Sequence, residues 1–248
     1  MRRSTEGVVA PEPSGPARLW GPGWSVEAVI RLLEPLAEAA RAERLRDVTA
    51  RRLASVTVLL DAPHDPHNAA AVLRSCDAFG VGTLHVVPLA EPFLLATSVS
   101  RGSERWVDVL QHSSAGTAAR WLRDRGHDLV ACDAGGELAP EDLAALARPA
   151  LLFGNEHGGL SPELRLAASR SVRIPMRGFV ESLNVSVSAA ILLSAATAGR
   201  PGDLPPEAQR LLYARGLFRS VARAGEILSA YSSSCTPSST TRSGGIPK

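Results

Sequence analysis

The stretch VTVLLDAPHDPHNAAAVLRSCDAFGVGTLHVV, Val56 to Val87, sets the class of the fold. Val56–Leu60 is a short β-branched and apolar run, the pattern of a strand buried on both faces. Pro66 to Phe79 then carries helix formers, with Pro66 suited to a first helical position and Gly80 suited to a stop. Leu84–Val87 is a second apolar run. A strand, a helix and a strand within about thirty residues is the βαβ unit, whose strands lie parallel.

The alternation continues outward from this unit. Ala115–Arg125 predicts a helix, Leu129–Cys132 a strand, Pro140–Ala147 a helix, Ala150–Phe153 a strand, Pro162–Ser169 a helix and Val172–Ile174 a strand. Leu183–Ala198 predicts a long apolar helix, and Pro205–Ala230 reads as helical and amphipathic. This order implies an α/β fold, a mostly parallel sheet with helices on both faces. Toward the N-terminus, residues 25–54 predict a helical extension, with Ser25 as cap and a break at Pro35. Residues 1–24 read as a flexible lead-in. The central domain is expected over 55–200, a C-terminal helical extension over 201–231, and a disordered Ser/Thr-rich tail over 232–248.

Composition narrows the function classes. The formal charge of the 248 residues is +2, and the basic side chains are arginines except for Lys248. Cys76, Cys132 and Cys235 lie far apart without CxxC spacing, which argues against a zinc site or a disulfide framework. His64 and His67 form an HxxH that no further ligand completes, so no metal is expected. No apolar run reaches the roughly 18 residues of a membrane helix, and none follows Arg2 and Arg3 as a signal core. A cytoplasmic location is the expectation. There is no GxGxxG after the first strand, no P-loop and no GxSxG elbow.

Three polar clusters follow buried strands, where open α/β sheets bind their ligands. The first is Asp65–Arg74, in which Asn68 near a helix start can orient a hydroxyl or phosphate. The second, Leu151–Ser161, sets Gly154, Gly158 and Gly159 around Asn155 and Glu156, a composition that lets backbone approach a ligand. In the third, Ile174–Ser188, a Pro/Gly loop leads to Ser182, Asn184, Ser186 and Ser188, poor helix-interior residues at the head of an apolar helix.

Together the clusters resemble the signature motifs of the SpoU/TrmH family of SPOUT RNA 2′-O-methyltransferases. Asn68, Ala71 and Arg74 match N-x-x-A-x-x-R; Gly154, Glu156, Gly159 and Leu160 match G-x-E-x-x-G-[LIV]; Ile174 to Ser186 matches I-P-M-x-G-x-x-x-S-L-N-V-S. Arg101–Trp106 is similar to the family's loop after the second strand, and the flanks are similar to the tRNA guanosine-18 branch.

The resemblance implies a parallel sheet with a C-terminal trefoil knot, a homodimer, S-adenosylmethionine as cofactor and tRNA as partner. It implies a cofactor site at Cys132, Gly154, Ile174, Met176, Ser182, Leu183 and Ala189, and a catalytic set of Arg74, Asn68, Glu156, Ser182 and Asn184. Arg41, Arg44, Arg51 and Arg52, with Arg74, are the expected RNA contacts. Family precedent describes Arg74 as a base. A guanidinium does not normally deprotonate in proteins, so a phosphate clamp and oxyanion stabiliser is the preferred role. Ribosomal RNA or another tRNA position as substrate, and a non-catalytic RNA-binding relative, are the alternatives.

Overall fold

The structure, a computed structural model, describes residues 19–89, 97–155 and 157–234. Helix α1 (Val26–Leu33) starts at Ser25, whose Oγ accepts from the Ala28 amide at 3.1 Å. A 3-10 turn, Glu34–Leu36, carries Pro35, and α2 spans Ala39–Ala50. Strand β1 (Thr57–Asp61) is buried throughout. Helix α3 (Pro66–Ala78) is capped by Asp65, which accepts from the His67 amide at 2.8 Å. It ends before Gly80, whose φ is +78°. Then come β2 (Thr83–Val87), the one-turn helix α4 (Thr97–Ser100), β3 (Asp108–Gln111), α5 (Ala115–Asp124) and β4 (Asp128–Cys132). After a 3-10 segment, Pro140–Ala145, follow β5 (Pro149–Phe153), α6 (Pro162–Ala167), β6 (Arg170–Val172) and α7 (Val185–Thr197). Helices α8 (Pro206–Ser220) and α9 (Ala224–Ser234) complete the described chain.

The six strands form one parallel sheet in the order β3-β2-β1-β5-β4-β6. The two-residue period of each strand divides its side chains between two cores. Val58, Leu60, Val130, Leu151 and Phe153 join α3 (Val72, Leu73, Cys76) and α7 (Leu192, Leu193, Ala196) on one face. Leu59, Leu129, Ala131, Ala150 and Leu152 join α5 (Ala118, Leu122) and α6 (Leu164) on the other. The expected helices on both faces are therefore present.

Some local expectations need correction. Pro140–Ala147 is a 3-10 segment over 140–145, not an α-helix. β6 lies at Arg170–Val172 rather than 172–174, because its pairing with β4 places Arg170 opposite Val130. β3 was not expected at all. It is a partly exposed edge strand without clean alternation. The expected helical stretch Pro205–Ala230 is present as two helices, α8 and α9, with Arg223 between them at φ +58°.

Arg52 is corrected as an RNA contact. Its side chain is 1% exposed, and its Nη2 lies 3.0 Å from Asp77 Oδ1. The guanidinium also donates to the carbonyls of Asp77 (3.1 Å) and Trp106 (2.6 Å). A charge so buried survives only with its partners in place.

The described chain divides into two compact units, one built mainly from residues 48–206 and containing the sheet, the other from residues 19–47 and 207–234. Within the second, Tyr213 donates to Glu34 Oε1 at 2.8 Å, Arg41 Nε donates to Ser220 Oγ at 3.1 Å, and Gly216 has no room for a side chain beside Leu45. Within the first, a cluster at β2 joins His85 Nδ1 to His112 Nε2 at 2.9 Å, beside Trp121 of α5. Arg125 lies over the Trp121 ring at 3.7 Å. Burial drives the pKa of His85 well down and those of His112 and nearby His127 down to about 4, which keeps all three neutral at pH 7. No described helix is long and apolar enough to cross a membrane.

Candidate functional site

A cavity of about 950 Å³ opens at the carboxyl ends of β4, β5 and β6. Three loops build it. After β4, the Asp133 carbonyl accepts from the Gly136 amide at 3.0 Å, and Asp133 Oδ1 accepts from the Gly135 amide at 3.0 Å. Asp133 Oδ2 takes a hydrogen bond from Arg165 at 2.7 Å, which fixes the loop from outside. A side chain at Gly136 would place its Cβ 2.3 Å from the Val172 carbonyl carbon, so only glycine lets this loop lie against β6.

After β5, the chain folds back on itself. Asn155 and Gly159 exchange amide-to-carbonyl bonds of 3.1 Å in both directions. Asn155 Oδ1 accepts from the amides of His157 (3.0 Å) and Gly158 (2.7 Å). Gly159 has φ +67°, and a Cβ on Gly154 would fall 1.9 Å from Gly159 C. The cavity wall here is bare backbone, which suits recognition of a ligand by N–H and C=O groups. The Ser161 amide donates to buried Asp61 Oδ2 at 2.7 Å, tying the loop to the end of β1. Glu156, expected in the catalytic set, lies outside the described residues.

After β6, residues 173–184 cross the mouth of the cavity. Arg173 donates to the Gly136 carbonyl at 2.7 Å, while Ile174, Met176, Ser182 and Leu183 face the cavity. Asn184 ends the loop as the cap of α7, accepting from the Ser186 amide at 2.8 Å. Its Nδ2 also donates to Asn68 Oδ1 at 3.0 Å. One hydrogen bond thus joins two residues that stand 116 apart in the chain and couples the first turn of α3 to the cavity rim.

Of the expected cofactor contacts, Cys132, Gly154, Ile174, Met176, Ser182 and Leu183 line the cavity. Ala189 does not. It faces inward from α7 and is fully buried in the core, while Val185, Ser188 and Leu192 of the same helix reach the cavity. Burial raises the Cys132 thiol pKa well above its ordinary value, which keeps the residue a neutral part of the wall.

Of the expected catalytic set, Asn68, Ser182 and Asn184 are brought together around the rim. Arg74 is exposed further along α3, about 9 Å along the helix axis from Asn68. It makes no hydrogen bond or ion pair among the described residues. Arg44 and Arg51 are exposed, and Arg41 is partly buried. Asp133 also lines the cavity and was not foreseen, and Asn155 and Glu181, which the sequence clusters contain without an assigned role, line it too. The position of Asp133, directly after a strand, was the available signal.

Comparison with known proteins gives four findings. The model of the SpoU rRNA Methylase family matches residues 55–194. The chain is 39% identical to a tRNA (guanosine(18)-2′-O)-methyltransferase of Thermus thermophilus, over 62% of this chain and 80% of that protein. Its fold is similar to the crystal structure of an Aquifex aeolicus TrmH/SpoU tRNA modifying enzyme, with a TM-score of 0.66 at 28% identity, covering 76% of this chain and 98% of the other. It is also similar to the SpoU methyltransferase AviRb from Streptomyces viridochromogenes in complex with the cofactor AdoMet, with a TM-score of 0.54 at 32% identity, over 61% and 62% of the two chains.

Proposed function

The chain belongs to the SpoU rRNA methylase family, and from that membership we propose that it moves a methyl group from S-adenosylmethionine to a ribose 2′-hydroxyl of tRNA, at guanosine 18. The observation that carries this reading is the cavity at the strand ends, coupled through Asn184 and Asn68 to α3, the helix that carries the exposed Arg74. Its walls fit the donor. Gly154 and Gly159 offer backbone to a polar ligand, Asp133 and Asn155 offer polar side chains, and Met176, Leu183 and Leu192 offer apolar surface. S-adenosylmethionine supplies an already activated methyl group when bound.

The protein's own task is then to hold the ribose in line and to manage its proton. Arg74 clamps a phosphate next to the reacting ribose and stabilises negative charge on the 2′-oxygen; its exposure, with no partner among the described residues, supports that role. Asn68 and Asn184 orient ribose and backbone, and Ser182 contacts donor or substrate. Glu156 fixes the β5 loop. Arg41, Arg44 and Arg51 extend the RNA contact.

The wider architecture is part of the same proposal. The loops after β4 and β6 belong to a trefoil knot, a reading supported by their glycine-mediated backbone contact at Gly136 and Val172. Knots are otherwise nearly absent from proteins. The working form is a cytoplasmic homodimer. Phe179, Val180, Val187 and Ile191 are exposed apolar side chains on the β6 loop and α7, and they support a partner surface there. Residues 25–54 and 201–231 serve as extensions of the catalytic domain 55–200.

The test is transfer of labelled methyl from S-adenosylmethionine to a tRNA transcript, with the modified position mapped. Arg74→Ala abolishes turnover and leaves donor binding intact. Activity that survives in Arg74→Ala removes the assigned role, and substantial rescue by Arg74→Lys counts against a bidentate clamp. Methylation of ribosomal RNA in preference to tRNA overturns the substrate.

A further inference from the structure

Three described residues other than glycine have positive φ: Ala62 at 48°, Arg101 at 52° and Arg223 at 58°. Such angles are costly for side chains beyond glycine, and they persist only where the surroundings enforce them. Two of the three have an internal reason. The Ala62 amide donates to the Val87 carbonyl at 2.8 Å, and Arg223 Nε donates to Glu226 at 2.7 Å. The Arg101 side chain has none. It is exposed and forms no hydrogen bond or ion pair among the described residues.

The frame around it is rigid. Ser100 is fully buried and donates to Glu104 Oε2 at 2.6 Å. Ser103 is buried and donates to Asp77 Oδ2 at 3.1 Å. Gly102 follows at φ +92°, and its carbonyl accepts from the Arg105 amide at 3.1 Å. The Trp106 carbonyl is held by buried Arg52. A glycine at 101 would adopt this turn without strain. Instead the position carries a long cationic side chain with no hydrogen bond or ion pair among the described residues.

The frame also ties the turn that carries Arg101 to α3. It is fastened to Asp77 of α3, and α4 packs on the same helix. Arg74 is three residues before Asp77, and residues with that spacing are neighbours on a helix surface. Two exposed guanidinium groups without partners among the described residues are therefore carried on elements joined to one helix. Guanidinium groups match phosphate oxygens in a planar, two-pronged geometry.

We infer that Arg101 is a substrate-positioning residue that grips a backbone phosphate of the RNA next to the one held at Arg74. The inference rests on the RNA methyltransferase reading above. Contact is to phosphate and not to a base edge, so it sets the register of the RNA without selecting its sequence.

The test uses the full-length protein, an unmodified tRNA transcript and two variants, Arg101→Gly and Arg101→Lys. Binding is followed by fluorescence anisotropy over a salt series, donor binding by calorimetry, stability by thermal unfolding, and turnover as kcat and KM for RNA. Arg101→Gly is expected to melt no lower than wild type and to bind the donor normally. It should bind RNA about 10-fold more weakly, raise KM for RNA, and lower the slope of log affinity against log salt by about 0.7 to 0.9, the signature of one lost phosphate contact. Arg101→Lys restores the slope. Wild-type affinity and slope in Arg101→Gly overturn the inference, as does a slope in Arg101→Lys no steeper than in the glycine variant. A lower melting temperature in Arg101→Gly assigns the residue to structure and also overturns it. Failure of the wild-type protein to bind or methylate any RNA transcript removes the underlying reading instead, and is seen before either variant is compared.

Discussion

Arg52 and Arg74 are both arginines near polar motifs, yet the fold uses them in opposite ways. Arg52 is buried against Asp77 and two carbonyls, whereas Arg74 is exposed with no partner among the described residues. Removing Arg52 leaves the Asp77 carboxylate without its main countercharge. Arg52→Ala is expected to cost about 3–5 kcal/mol in urea unfolding, with RNA affinity per folded molecule unchanged. Nothing local in the sequence separates the two residues, because the partner of Arg52 lies on another element 25 positions away. The histidines give a second residue-level expectation. His112 and His127 have pKa values near 4 in the folded protein, against about 6.5 unfolded. The unfolded chain therefore binds more protons between these values, and stability rises with pH across that window. Urea midpoints should fall as pH drops from about 6.5 toward 4. His112→Gln should flatten that dependence, and an unchanged profile would sink the assignment. Arg125 and Arg148 face the cluster with like charge and Asp128 with opposite charge, so burial sets the sign.

At the scale of elements, the junction of α3 and α7 is where the site was partly legible. Asn184 was expected near the start of an apolar helix and is its cap. That Asn184 also bonds Asn68 follows only once α3 and α7 share one face of the sheet. Asn184→Asp keeps an acceptor for the Ser186 amide but cannot donate to Asn68. Turnover should fall at least about 10-fold while the thermal midpoint stays close to wild type. Asn184→Ala should also lose about 1 kcal/mol of stability with the cap. Equal losses of stability in both variants would show that the Asn68 bond is structural only. The strands that were foreseen are the buried ones, such as Val56–Leu60 and Ala150–Phe153, where composition is decided by two apolar faces. β3 escaped because an edge strand has one neighbour and no need for an apolar pattern on both sides. Gly136, which lets the loop after β4 lie against β6, escaped for another reason. A glycine's purpose there depends on a backbone that passes it from a distant or folded-back segment.

For the whole molecule, the exposed apolar set at Phe179, Val180, Val187 and Ile191 sits on the segment that closes the cavity and on the helix it caps. On the homodimer proposed above, Phe179→Asp with Ile191→Glu is expected to shift the sedimentation profile from dimer to monomer and to reduce methyl transfer with it. A double variant that sediments as wild type would remove this surface from the interface. The strand order has a separate consequence, in time and not in energy. β1 lies in the middle of the sheet, and its Thr57 pairs with Ala150. A ribosome adding about 5–20 residues per second needs roughly 5 to 20 s to make the chain between them. Through that interval β2 can cover one side of β1, while the other side waits as an open template of unpaired amides and carbonyls. Newborn chains are therefore most open to mispairing before β5 emerges, and slower synthesis should lengthen this exposure rather than help the protein fold.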